Sequence, residues 1–148
     1  MEKDSPLVEP SLALGHISDD FAISPQLGLR DIATLREMGY RSILILRPDG
    51  EERGQPNHVQ LSDAAGRLGI ETRYLPLDPE AVGPGEVRAF RLNVAAMPAP
   101  LVAMSATGRR AVALWALSMA GRKPTLEILD TALMVGHDLT DLAEVLET

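Results

Sequence analysis

The chain has 148 residues, the size of one ordinary domain, and 45% of them are hydrophobic with only 3% aromatic, so its core is expected to be built from Leu, Ile, Val, Ala and Met. A formal charge of −7 argues against nucleic-acid binding, which needs concentrated Lys and Arg, and leaves room only for a local anion site. The absence of cysteine excludes disulfides, zinc–thiolate and iron–sulfur centres, and every thiol mechanism.

Taken in chain order, residues 1–10 read as a loose, acidic and proline-containing tail, and residues 11–148 as one domain. The start has no basic segment followed by an apolar stretch, as an export signal would, so a cytoplasmic protein is expected. No membrane span is expected either, since the apolar stretch Ala111 to Ala120 is too short to cross a bilayer. Leu12 to Gly15 and Phe21 to Ser24 are predicted as short strands around a turn at Ser18-Asp19-Asp20. Leu29, Ile32, Ala33 and Leu35 mark a helix ended by Gly39, which feeds a strand at Ser42 to Leu46.

The segment RPDGEERGQP, Arg47 to Pro56, carries the Pro and Gly of a loop. A helix over Val59 to Leu68 follows, closed by Gly69, and then a strand at Thr72 to Leu77. After a second loop at Pro79 to Pro84, Val87, Phe90, Val94 and Met97 share one helical face, and Pro98 and Pro100 end that helix. Leu101 to Met104 is an apolar strand that runs through SATGRR into a helix starting near Ala111. Two closing helices, Leu126 to Val135 and Leu139 to Leu146, are separated by Gly136, a left-handed cap. Alternating strands and helices imply a mostly parallel sheet covered on both faces, with ligands gathered at the carboxyl ends of its strands. Loops 47–56, 78–84 and 105–110 leave such ends and are expected to converge.

SATGRR reads physically as an anion cradle. Ser105, Ala106, Thr107 and Gly108 are small enough for the backbone to curl with its amides inward at a helix start. Arg110 supplies a guanidinium fork for two oxygens of a phosphate or sulfate, with Arg109 as a partial substitute. The competing reading of so short a motif is an ordinary strand-to-helix connection with surface arginines.

The ordered set of motifs FAISPQL, RPDGEERGQP, YLPLD, MSATGRRAVALWAL and GHDL resembles, over nearly the whole chain, the beta-lactamase-hydrolase-like or DSP-PTPase-like family, also called sulfur transferases. The resemblance implies a dual-specificity-phosphatase fold: an α/β domain with a central mostly parallel sheet flanked by helices. It places the phosphate-binding glycine at Gly108, the oxyanion-clamping arginine at Arg110 and the nucleophile at Ser105, where the family has cysteine. A thiolate in that setting is made by a lowered pKa; a serine hydroxyl is not ionised there and needs a neighbouring base. No histidine lies near this loop in sequence, and His16, His58 and His137 read as surface residues. Sulfur transfer would need the missing sulfur atom itself.

Three further departures, Ala106, Arg109 and Ala111 where the family has Arg, Thr and Ser, favour natural loss of the nucleophile over an engineered trap. The resemblance also puts a general acid at Asp78, with Asp49 as runner-up, although both fit plain turn roles before Pro79 and Gly50. Arg47 is expected to reach the pocket or to pair with Glu51 or Glu52, and Trp115 to be core. The function expected first is therefore a lapsed phosphatase-like domain that binds a phosphate- or sulfate-type anion or a protein partner. A phosphomonoester hydrolase and a structural subunit of a larger assembly are the alternatives. No cofactor and no metal are indicated.

Overall fold

The computed structural model describes residues 12–78 and 82–147; the predicted tail lies outside them. Five strands form one sheet: β1 (Gly15–His16), β2 (Phe21–Ser24), β3 (Ser42–Ile45), β4 (Glu71–Tyr74) and β5 (Leu101–Met104), in the order β1-β2-β5-β3-β4. β1 runs antiparallel to β2, and the other pairings are parallel. The helices are α1 (Leu29–Glu37), α2 (His58–Arg67), α3 (Pro84–Ala96), α4 (Arg109–Met119), α5 (Thr125–Met134) and α6 (Ala143–Glu147).

Alternation along the central strands divides the core into two layers. Phe21, Ile23, Leu44, Leu101 and Ala103 face one layer, where Phe90 of α3, Val112 and Trp115 of α4, and Ile128 of α5 close over them. Ala22, Ile43, Ile45, Val102 and Met104 face the other, covered by Ile32 and Leu35 of α1 and by Leu61 and Ala65 of α2. The strand–helix alternation in the sequence anticipates this three-layer arrangement, and Trp115 is core as expected. Among the described residues no helix is long and apolar enough to cross a membrane.

Several boundaries differ from expectation, among them the strand expected at Thr72 to Leu77, which is Glu71–Tyr74. The strand expected at Leu12 to Gly15 is Gly15–His16, because among the described residues Gly15 and His16 are the ones that pair, with Ile23 and Ala22, before the turn. The helix after SATGRR begins at Arg109, which places both arginines in its first turn. The closing helix predicted over Leu139 to Leu146 is broken into a short 3₁₀ turn at Thr140–Leu142 and α6; Asp138 Oδ1 accepts hydrogen bonds from the backbone and side chain of Thr140, an Asx turn that competes with regular helix.

Candidate functional site

β5 is central, and its carboxyl end delivers Ser105 into the molecule at 1% exposure. The Ser105 amide donates to Ser24 O at 3.1 Å and Ala106 O accepts from the Gln26 amide at 3.2 Å, so the neighbouring β2 exit holds the loop from one side. Gly108, at φ +92°, turns the chain into α4. The left-handed conformation favours glycine, and a Cβ there would press on His137 Nε2 and Ile23 Cδ1, each at 3.3 Å. The Ser105 hydroxyl accepts a hydrogen bond from the Ala111 amide at 3.3 Å.

The first turn of α4 sends its two arginines in different directions. Arg109 is drawn away from the loop: it donates to Asp138 O at 2.9 Å and forks onto both carboxylate oxygens of Asp141 at 3.0 Å. Arg110 turns inward, its side chain 8% exposed, with Nη1 donating to Leu46 O at 3.3 Å and Nη2 3.6 Å from Glu51 Oε2. Among the described residues its Nε is the buried side-chain polar atom left without a partner. Ser105, Ala106, Thr107, Arg109, Arg110, Val82 and Ala113 line a cavity of about 250 Å³.

The three predicted loops do meet. Glu51 of the first bridges Arg110 of the third to Arg47, whose Nε donates to Glu51 Oε1 at 2.9 Å. Arg47 is itself buried, pairs also with Glu52 at 3.4 Å, and donates to Gln26 Oε1 at 3.0 Å; both predicted glutamate partners are present. The second loop approaches through Leu77, whose amide shares the Leu46 carbonyl with Arg110, and through Val82. Asp78 is exposed and directly follows Leu77, while residues 79–81 of that loop lie outside the described ones.

Asp49 is committed elsewhere. Its carboxylate accepts from the His58 amide at 2.8 Å and lies 2.6 Å from His58 Nδ1, the imidazole stacking on Tyr74 with ring centroids 3.7 Å apart. This matches the plain turn role better than a place at the cavity.

Glu51 and Gln26 were not singled out from the sequence as site residues, because nothing local ties them to residues about sixty and eighty positions away. His137 was read as a surface residue, yet it is half-buried against Gly108. Its pKa is pushed below the ordinary 6.5 by burial and by the Arg109 charge. The GHDL motif was the only sequence signal for it. Asp138 next to it is held below the usual carboxylate range by the backbone and side-chain hydrogen bonds from Thr140. Among the described residues no group of His, Asp and Glu is placed to hold a metal ion.

A family model described as "Beta-lactamase hydrolase-like protein, phosphatase-like domain" matches residues 13–122. Beta-lactamase hydrolase-like proteins of Agrobacterium fabrum and Xylella fastidiosa are each 33% identical, over 88% and 69% of this chain. The chain spans only 31% and 24% of those relatives' lengths. Among solved structures, a candidate phosphatase of Neisseria meningitidis superposes with a TM-score of 0.84 at 28% identity, covering 91% of this chain and 96% of that one. The catalytic core of the PP-IP phosphatase Siw14 from S. cerevisiae, in complex with citrate, shares the fold at a TM-score of 0.67 and 16% identity, covering 96% of this chain and 88% of that one. With the phosphatase-like sheet, the glycine-turned loop and the family match over most of its length, this chain belongs to the phosphatase-like domain family of the beta-lactamase hydrolase-like proteins.

Proposed function

We propose that this phosphatase-like domain has lost its nucleophilic cysteine and keeps a phosphate- or sulfate-sized oxyanion site. The observation that carries the reading is the Arg110 Nε–H, buried with no acceptor beside a cavity lined by Ser105, Ala106 and Thr107. A buried donor left unmade costs on the order of 1–3 kcal/mol, and a tetrahedral anion accepting from Arg110 and from the amides at the start of α4 removes that cost.

Chemistry beyond binding would need an activated nucleophile. Among the described residues the Ser105 hydroxyl has the Ala111 amide as its hydrogen-bond partner, and no side-chain base is bonded to it. A serine so placed stays protonated and accepts, so attack on phosphorus does not start. A Cys→Ser variant of the fold neighbour TpbA from P. aeruginosa forms a complex with phosphotyrosine, which supports the idea that serine in this fold is compatible with holding a phosphate ester. Asp78, at the exit of the β4 strand, is the residue we assign to leaving-group protonation if a thiolate is restored.

The test is hydrolysis of p-nitrophenyl phosphate by the chain and by Ser105→Cys, with calorimetric titration of inorganic phosphate into the chain and Arg110→Ala. We expect no turnover by the chain, turnover by Ser105→Cys that falls in Ser105→Cys/Asp78→Asn, and phosphate affinity about 10 to 100 times weaker in Arg110→Ala, the loss of one charge-assisted contact. Turnover by the unmodified chain would make it a phosphomonoester hydrolase working through Ser105. Failure of phosphate to bind would make the cavity vestigial.

A further inference from the structure

A second and larger cavity, about 750 Å³, opens beside the loop between α3, α4 and α6. It shares Val82, Arg109 and Ala113 with the oxyanion cavity, so the two adjoin along these residues. Its volume is in the range that encloses a substantial organic group rather than an ion. Its apolar lining comes from the partly buried Val87, Ala113, Leu117 and Leu142 with the exposed Val145, and Arg88, Arg91 and Arg109 are its exposed cations. Among the described residues of the lining Asp141 is the one acid, and it is held by Arg109. In a chain of net charge −7, the described lining therefore sets Arg88 and Arg91 beside no carboxylate but that one.

Arg91 is at the end away from the loop: its Nη2 donates to Ser118 O at 3.5 Å, on the last turns of α4. From Arg109 to Leu117 the helix rises by about 12 Å, at 1.5 Å per residue. An apolar body of that length thus runs from the phosphate site to a cationic end.

Resting on the oxyanion reading of the loop, we infer that the recess takes the organic part of the phosphate ester, and that its preferred ligand is an elongated apolar monoester with a second anionic group at its far end. The phosphate occupies the loop, the apolar body lies along Ala113 and Leu117, and the distal anion meets Arg88 and Arg91. Each part of the ligand matches the chemistry of the wall it touches.

The experiment compares calorimetric binding of inorganic phosphate, decyl phosphate and ω-carboxydecyl phosphate to the full chain, to Arg88→Ala/Arg91→Ala and to Leu117→Glu, with circular dichroism and melting curves recorded for each. The expected order is phosphate weakest, decyl phosphate at least tenfold tighter, and the carboxylated ester tighter again by about fivefold or more. Arg88→Ala/Arg91→Ala should erase the difference between the two esters and leave phosphate unchanged. Leu117→Glu should bring both esters down to the affinity of phosphate. Equal binding of phosphate and both esters by the full chain would overturn this inference while leaving the loop reading intact. No binding of phosphate or of either ester would sink the loop reading and this one with it. A carboxylated ester that binds no better than decyl phosphate would remove the distal anion from the proposal and, with it, the assigned ligand class.

Discussion

At the scale of single residues, the site depends on which charges have an internal partner. Arg47 and Arg109 are committed to carboxylates, Arg47 to Glu51 and Glu52 and Arg109 to Asp141, whereas Arg110 approaches Glu51 at 3.6 Å, gives Nη1 to the Leu46 carbonyl and has an unused Nε. His137 adds a pH dependence. Its depressed pKa means that the unfolded chain binds its proton more readily than the folded one, so the histidine's contribution to stability is fully present above about pH 6.5 and is lost as pH falls through the folded value. Melting temperature measured from pH 8 to pH 5 should therefore drop more steeply for the chain than for His137→Gln. Parallel curves would show that His137 is not the titrating group. Asp138 does not confuse the result, because its lowered pKa acts below the ordinary carboxylate value of 3.8.

At the scale of elements, the loop between β5 and α4 is shaped by one backbone conformation. Gly108→Ala would place a side chain in a left-handed conformation, costing about 1–2 kcal/mol, and press it against His137 and Ile23. We expect chemical denaturation to show a loss of at least that size, together with weaker phosphate binding as the loop amides rotate. Gly121→Ala is the control: it also has positive φ, at +81°, but a Cβ there meets nothing within 4 Å, so it should cost only the conformational part and leave phosphate binding alone. Equal effects of the two substitutions on phosphate binding would contradict this account. α2 shows the ordinary way in which this chain starts a helix: Asn57 Oδ1 accepts from the Gln60 amide and Gln60 Oε1 accepts from the Asn57 amide. α4 has no capping side chain at Gly108; its first amides turn back onto the loop instead, Arg109 N donating to Thr107 Oγ1 and Ala111 N to Ser105 Oγ, both at 3.3 Å.

At the scale of the molecule, both core layers are built on the same strands. Ile43 and Leu44 are adjacent in β3 and face opposite layers, at 1% and 0% exposure. Ile43→Ala and Leu44→Ala should each cost about 2–5 kcal/mol, and each should shift one common unfolding transition measured by calorimetry. Two separable transitions, one per variant, would mean that the layers unfold independently.

The carrying elements were legible in the sequence because they depend on local pattern. Short apolar runs bounded by turn residues, such as Leu101 to Met104 between Pro100 and the SATG turn, read as buried strands. Stripes such as Val87, Phe90, Val94 and Met97 name the face of a helix, and glycines at 39, 69, 108 and 136 mark turns with positive φ. The tight glycine turn between β5 and α4 was legible too, because small residues in sequence mark a sharp strand-to-helix connection. Tertiary structure alone decided which arginine turns inward, since Arg109 and Arg110 are equivalent in composition and differ only by the 100° between successive helix positions. It alone brought Glu51 to Arg110, Gln26 to Arg47 and His137 to Gly108, contacts made between strand exits that lie far apart along the chain and side by side in the sheet.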